Sequence, residues 1–294
     1  MDLSIVIPAF DRTENLKGVL CRLELNHKKH PEISFETIII NGNTEEHPMT
    51  LFIHKFMSET TLNVKHIFCN FGKWINPALP RNIAFKYATG NIFTMIDIDH
   101  YVGEDFIIGA INPWGNKNYK EPIVNRGFMI DTCKFYGQHM YSQLLTPPQK
   151  QHIQTLNNAL IEQASEINIQ KVYKIINTKI TPPISPWLLS YPSWAFDSIG
   201  GYDEEFTGWG SEDDMFYLML KHVGLKDNNN NCQTFCGVHL YHEMGGSDGN
   251  RMATHNLPLL KDKRNNIGFY INKKINMPWG EVPSNIKFWI DTNY

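Results

Sequence analysis

Two acidic clusters carry residue types that could do chemistry in this 294-residue chain. The first is Asp97-Ile98-Asp99-His100, where the apolar run "GNIFTMIDIDHY" ends in two carboxylates one residue apart, with an imidazole directly behind. Strands often end in polar residues, so spacing alone leaves both a solvated strand end and a ligand-facing pair open. The second cluster lies in "IGGYDEEFTGWGSEDDMFYLML", residues 199–220. Gly208 and Gly210 flank Trp209 in a tight loop feeding a helix, and Glu212, Asp213 and Asp214 fall in its first turn. Ser211 with Asp214 fits a capping box, so plain stabilisation of the helix start is one reading. That reading leaves Trp209 among glycines unexplained, as well as Asp203, Glu204 and Glu205 upstream. A carboxylate held at a helix start is expected to stay ionised at neutral pH, as a base for a hydroxyl requires.

The elements that must position these groups alternate regularly over the first hundred residues. "LSIVIP" (3–8), "FETIIIN" (35–41), "NVKHIFC" (63–69) and "NIFTMIDID" (91–99) read as buried strands. Between them, "TENLKGVLCRLEL" (13–25), "MTLFIHKFMSE" (49–59) and "NPALPRNIAFKYATG" (76–90) read as helices. Leu16, Val19, Leu20 and Leu23 share one face of the first, and Gly90 follows the third as a helix-end glycine. Apolar strands alternating with helices predict an α/β chain with a parallel sheet covered on both faces. Ligands sit beyond the carboxyl ends of such strands, which places Asp97 and Asp99 at the ligand edge. Further on, "TPPQKQHIQTLNNALIEQASEI" (146–167) is a helix with a Thr146 N-cap. Its stripe of Ile153, Leu156, Leu160, Ala164 and Ile167 is core packing. "TPPISPWLLSYPSW" (181–194) reads as too broken for a helix. It is either a connector or a surface where Trp187, Tyr191 and Trp194 stack on a ring. "KDNNNN" (226–231) reads as a polar turn.

Composition narrows the function classes. Hydrophobic residues at 42% and charged ones at 19% allow a sizeable core. A formal charge of −3 argues against a protein that coats nucleic acid. The basic cluster "KDKR" (261–264) is short enough to be solvated surface. Five scattered cysteines make no disulfide framework, and Cys232 with Cys236 lacks the second pair of a zinc knuckle. "MDLSIVIPAF" has no basic leader and too short an apolar run for a signal or membrane helix, so a soluble, cytoplasmic protein is expected.

Four ordered pieces, "SIVIPAFDR", "PRNIAFKYATGNIFTMIDIDHYV", "IGGYDEEFTGWGSEDD" and "HLYHE" (239–243), span most of the chain. With them the chain resembles nucleotide-sugar glycosyltransferases of the GT-A fold, the large family 2 group. Its second half is similar to the galactosyltransferase and chondroitin-polymerase type. The resemblance implies a Rossmann-like nucleotide-binding sheet, with a donor half over 1–102 and an acceptor-binding, catalytic half over 103–294 of the same domain. It implies that Asp99 binds a divalent metal, manganese or else magnesium, while Asp97 faces the ribose or the metal's water. His242 is implied as the distal ligand, with His239 joining it; each could instead be a hydrogen-bonded strand-end side chain. Asp213 is implied as general base, Glu212 and Asp214 as acceptor-orienting groups, and Trp209 as an apolar face for a sugar ring. In-line attack of this kind inverts the anomeric centre.

Nucleotide contacts are expected from Pro8, Ala9, Phe10 and Arg12 after strand one, and from Arg81 and Asn82 in the "RN" pair. One departure stands out: the family's aspartate after strand two is Asn41 here, whose amide can still pair with a uracil edge. Arg251 or His255, around the glycine-rich stretch 243–256, would reach the diphosphate if that stretch is a lid; an idle surface loop is the other reading. The expected activity is metal-dependent inverting transfer from a nucleotide-diphosphate sugar, with a UDP-sugar favoured, to a carbohydrate hydroxyl. The alternatives are an acceptor on a modified nucleic-acid base or a protein, an inactive sugar-nucleotide binder, and a nucleotidyltransferase. The last would carry a glycine-rich basic phosphate loop near the start, which "IPAFDRTENL" is not.

Overall fold

The computed structural model describes residues 1–71, 76–115, 117–131, 146–166, 168–169, 184–208, 210–229, 234–240 and 255–294. The first half runs β1 (Leu3–Ala9), α1 (Thr13–Lys29), β2 (Phe35–Asn41), α2 (Pro48–Glu59), β3 (Asn63–Cys69), α3 (Ala78–Lys86) and β4 (Ile92–Met95). Both β1 and β2 are buried along their whole length, because helices cover the parallel sheet on each side. Leu16, Val19, Leu20 and Leu23 of α1 are fully buried against one face of it. Ile83, Ala84 and Phe85 of α3 pack on the other.

The chain continues through β5 (His100–Val102), α4 (Phe106–Ile111), β6 (Ile123–Asp131), α5 (Pro147–Glu162), β7 (Ile184–Pro192), α6 (Ser193–Ile199) and α7 (Glu212–His222). It closes with β8 (Lys226–Asn228), β9 (Cys236–His239), α8 (Asn256–Asn265), α9 (Ile267–Lys274) and β10 (Phe288–Thr292). One sheet carries these ten strands in the order β10-β3-β2-β1-β4-β7-β6-β9-β5, with β8 on β6. Strands β1 to β4 are mutually parallel, and β7 joins β4 antiparallel. Strand order reverses between β1 and β4, the place where such sheets open a ligand crevice. No helix among the described residues is long and apolar enough to cross a membrane.

Several local expectations are corrected. Residues 184–192 are a sheet strand, not a connector; Tyr191 is 1% exposed. Trp194, partly buried, donates its Nε1–H to the Tyr119 carbonyl at 3.3 Å. Neither offers a stacking face, and the Trp187 side chain lies outside the described residues. Residues 226–228 of the expected polar turn form β8. The capping box at Ser211 does not form: Ser211 sits at φ 76 with no side-chain cap bond. Gly90 is not a helix cap either, since α3 stops at Lys86. A Cβ there would lie 2.5 Å from the Ser4 backbone nitrogen, so close approach to β1 requires glycine.

Candidate active site

The metal-ligand candidates are assembled by strand pairing. Strand β4 ends at Met95, opposite Val6, so residues 96–99 turn beside the end of β1. The His100 N–H bonds the Asp97 carbonyl at 2.9 Å, and the Asp97 N–H donates to His100 Nδ1 at 3.2 Å. Antiparallel pairing of β5 with β9 sets His100 opposite His239, their rings 5.2 Å apart and nearly perpendicular. His239 Nε2 thereby lies 3.7 Å from Asp99 Oδ1, and one ligand atom from each of Asp99, His100 and His239 fits within 4.8 Å of the others. Two ligands at about 2.1–2.2 Å from one ion are about 3 to 4.4 Å apart, so Asp99 and His239 fit a single divalent cation.

His100 follows the two carboxylates directly in sequence. Burial pushes its imidazole below the ordinary range, so it is neutral at physiological pH. With Nδ1 accepting the Asp97 N–H, the neutral ring carries its proton on Nε2, 3.7 Å from Asp97 Oδ2 and 3.9 Å from Asp99 Oδ1. The ring thus packs between the two carboxylates, within the same cluster as Asp99 and His239.

The base candidate is reached from the other side of the crevice. Gly200 and Gly201 have φ 68 and 72. They turn the chain so that Tyr202 can dock on α3: its N–H bonds Asn82 Oδ1 at 2.7 Å and its carbonyl accepts from Asn82 Nδ2 at 2.9 Å. Asn82 also donates to Glu204 at 2.6 Å and is fully buried. The nucleotide contact expected of Asn82 is therefore corrected, because its amide is spent on holding residues 201–204. Tyr202 stacks on Phe216 of α7 at 3.9 Å, which carries the register into the helix bearing the acidic triplet.

Arg81, beside Asn82 on α3, where a nucleotide contact is expected, turns inward. Its side chain is 6% exposed and reaches Asp213 at 2.8 Å, Glu212 at 3.3 Å and Asp97 at 3.7 Å. One guanidinium thus joins the Asp-x-Asp turn to the start of α7. Burial works against the Arg81 charge, but Asp213, Asp97, Tyr202 and Glu212 outweigh it and hold the group protonated. For Asp213 burial wins: with Glu212 and Asp97 adding to it, the carboxyl is pushed well above the ordinary carboxylate range against the pull of Arg81. Burial also raises Glu212. Burial and the neighbouring carboxylates, more than the helix start, thus set the direction of the shift at Asp213. Asp214, one residue on, points into solvent.

At the end of β1, Pro8 and Ala9 are buried within the strand, while Phe10 is half-buried and Arg12 exposed. Only the last two are open to a ligand. Asn41 is fully buried. Its Nδ2 donates to Thr50 Oγ1 at 2.7 Å, and its Oδ1 accepts from the Asn43 N–H and Nδ2 at 3.0 and 2.9 Å. The direct base contact expected of Asn41 is corrected: it shapes the 42–47 loop, and Asn43 in turn accepts the Asp11 N–H at 3.2 Å. Trp209, His242 and Arg251 lie outside the described residues. Their neighbours do not: Asn256, fully buried, donates Nδ2 to the Thr207 carbonyl at 3.1 Å and the Gly210 carbonyl at 2.8 Å, clasping the loop around position 209. No local signal in the sequence marks Asn256; its partners are more than 40 residues away.

Residues 4–172 match glycosyl transferase family 2, and residues 188–243 match the N-terminal domain of galactosyltransferase. An uncharacterized glycosyltransferase of Synechocystis is 30% identical over 114 residues, 39% of this chain and 34% of that protein. Poly(ribitol-phosphate) beta-N-acetylglucosaminyltransferase TarS of Staphylococcus aureus is 23% identical over 37% of this chain and 18% of its own length. The matched segments thus span about a third or less of these relatives. The structure of TarS 1–349 with UDP-GlcNAc superposes with a TM-score of 0.54 at 15% identity, covering 90% of this chain and 65% of that one. Mannosyltransferase PcManGT from Pyrobaculum calidifontis, in complex with GDP-Man and Mn2+, gives 0.52 at 13% identity, covering 96% and 65%. The fold is that of the GT-A glycosyltransferases, and with its match over residues 4–172 the chain belongs to glycosyl transferase family 2.

Proposed function

We propose that this chain is a divalent-metal-dependent, inverting glycosyltransferase that moves a sugar from a nucleotide-diphosphate sugar, favoured as a UDP-sugar, to a carbohydrate hydroxyl. The observation that carries the reading is Arg81, which brings Asp97 of the metal-side turn and Asp213 of the base-side helix onto one guanidinium. Asp99 and His239 would hold the cation, with His242 the further candidate; manganese suits mixed carboxylate and imidazole ligation, and magnesium is the alternative. When bound, the ion supplies Lewis-acid stabilisation of the departing diphosphate.

The chain's own groups divide the remaining work. Asp213 Oδ2, the oxygen not bonded to Arg81, takes the proton from the acceptor hydroxyl as that oxygen attacks the anomeric carbon. Arg81 keeps this carboxylate available as an anion in a buried site. His100 fixes the Asp97–Asp99 turn, and Asn82 fixes the 201–204 turn beneath the base. Phe10 and Arg12 face the nucleotide end, with Asn43 and Asn41 shaping the loop beside them. Asp214 and Trp209 would meet the acceptor. The two structural neighbours carry different nucleotides, UDP-GlcNAc and GDP-Man, so uridine is the choice that most needs testing.

A panel of UDP- and GDP-sugars incubated with the protein and manganese, with and without acceptor glycans, tests this directly. The expected result is metal-dependent release of UDP and, with a competent acceptor, a product of inverted anomeric configuration. Retention of configuration, or equal turnover in excess chelator, would overturn the mechanism. Turnover confined to GDP-sugars would overturn the choice of base.

A further inference from the structure

Arg12 breaks two local rules at once. It is the N-cap of α1, yet its backbone sits in the left-handed region at φ 54, ψ 49, and its side chain makes no cap bond. N-caps prefer extended backbone and a short side chain that accepts from the helix. Asp11 before it is also left-handed, at φ 53. Consecutive non-glycine residues in this region are costly and persist only where the surroundings hold them. The holding contacts are specific: Asp11 N–H to Asn43 Oδ1 at 3.2 Å, the Asp11 carboxylate 3.4 Å from His47, and the Arg12 carbonyl accepting from Asn15 and Leu16.

What this turn achieves is the aim of one side chain. Arg12 Nη1 bonds Asp99 Oδ2 at 2.6 Å. The same carboxylate lies 3.7 Å from His239 through its other oxygen. Asp99 is 5% exposed at its side chain, in the turn before β5 whose Asp99 carbonyl accepts the Leu240 N–H, whereas Arg12 is 39% exposed and can swing away without disturbing the core. A guanidinium on Oδ2 and a divalent ion on Oδ1 would therefore repel each other across one carboxylate, and the exposed guanidinium is the group that can swing away.

We infer that Arg12 is the internal counter-cation of the metal site. Its charge on Asp99 Oδ2 opposes a divalent ion on Oδ1, so metal binding favours swinging the guanidinium away toward the crevice where an anionic ligand would sit. Arg12 thus sets the affinity of the site for metal. The inference rests on the reading of Asp99 and His239 as metal ligands, and it needs no sugar transfer to be tested.

The test is manganese alone, without nucleotide, titrated into the full chain and followed by the electron paramagnetic resonance signal of the free ion. Wild type is compared with Arg12→Asn and Asp99→Asn. Asparagine suits both left-handed backbone and an N-cap, which offsets part of the cost of leaving Asp99 without the guanidinium, so Arg12→Asn should still fold and melt cooperatively. Its manganese affinity should be about tenfold tighter, the scale set by opening one half-buried charged pair. Asp99→Asn should lose the site. Adding UDP should tighten manganese binding more in wild type than in Arg12→Asn, because only wild type has a guanidinium to release. Unchanged or weaker manganese binding by a normally melting Arg12→Asn overturns the inference. If no variant binds manganese, the inference falls with the metal site, while UDP release from a UDP-sugar in chelator would leave a metal-independent transferase standing.

Discussion

Replacing Arg81 by methionine removes the cation that bridges three carboxylates, Asp97, Glu212 and Asp213. The lost contact can be sized: at an N–O distance of 2.8 Å from Asp213, the charge centres are about 4 Å apart. Coulomb attraction there is about 4 kcal/mol at an effective dielectric near 20. Truncating one partner of a buried pair typically costs about 3–5 kcal/mol, because the other charge is left behind. Folded domains have only about 5–15 kcal/mol in total, so the variant should be near its limit. It can escape part of the cost by binding protons. Asp213 and Glu212 already have raised pKa values in the folded chain, and loss of the cation raises them further. Between the ordinary carboxylate value of about 4 and those raised values, the folded state holds more protons than the unfolded state. Stability of Arg81→Met therefore falls as pH rises through that window. Urea unfolding followed by far-ultraviolet circular dichroism at pH 5 and pH 8 reads this out, with the larger deficit expected at pH 8. A deficit under about 1 kcal/mol that is the same at both pH values would refute the central place given to Arg81.

Two further outcomes follow from the same geometry. Asp213→Asn should cut transfer by about two orders of magnitude or more, as loss of a general base does, while UDP still raises the melting temperature. The wild-type rate should show an acid limb above the ordinary carboxylate range, set by the raised Asp213, and failure of Asp214→Asn in place of Asp213→Asn would move the base by one residue. Asn256→Ala leaves the Thr207 and Gly210 carbonyls without their shared donor, costing about 1–3 kcal/mol by thermal or urea unfolding. Its kcat should fall more than its donor affinity, and an unchanged kcat in a folded variant would show that the clasp does not position the base.

The first half of the fold was legible because strands buried on both faces write themselves as unbroken apolar runs. "FETIIIN" and "NVKHIFC" coincide with β2 and β3 residue for residue. The second half hides its strands. β5 and β9 are three and four residues long, too short for any periodicity. β7 carries prolines yet lies between β4 and β6. It is tolerated there because Pro192 ends the strand and Pro186 falls where the register with β6 shifts. In the site, residue types were readable but directions were not. Asn41, Asn82 and Arg81 sit where ligand contacts were expected, and each turns inward instead. An amide or guanidinium at a strand or helix end serves a ligand or the protein's own backbone equally well. The partner that decides between them, Tyr202 for Asn82 or Asp213 for Arg81, is more than a hundred residues distant.

The state of Asp213 shows how magnitudes decide between two sequence-level arguments. Its place in the first turn of α7 favours the anion through the helix dipole, worth about 0.3–1 kcal/mol near a surface. Burial opposes the anion by on the order of several kcal/mol per ion even after relaxation, and three neighbouring carboxylates, Glu212, Asp97 and Asp214, oppose it as well. The dipole is the smaller effect, so the helix start alone does not hold the carboxyl in the ordinary range. Arg81 changes the outcome, since a cation at 2.8 Å supplies an attraction of the same order as the burial cost. The result is a carboxylate more basic than one in water yet still reachable as an anion, which is what proton removal from a weakly acidic hydroxyl requires. On this account basicity at Asp213 depends on the spacing of α3 from α7, which Asn82 and the Tyr202–Phe216 stack maintain. Changes that loosen that packing should lower the rate without touching any group that meets a substrate.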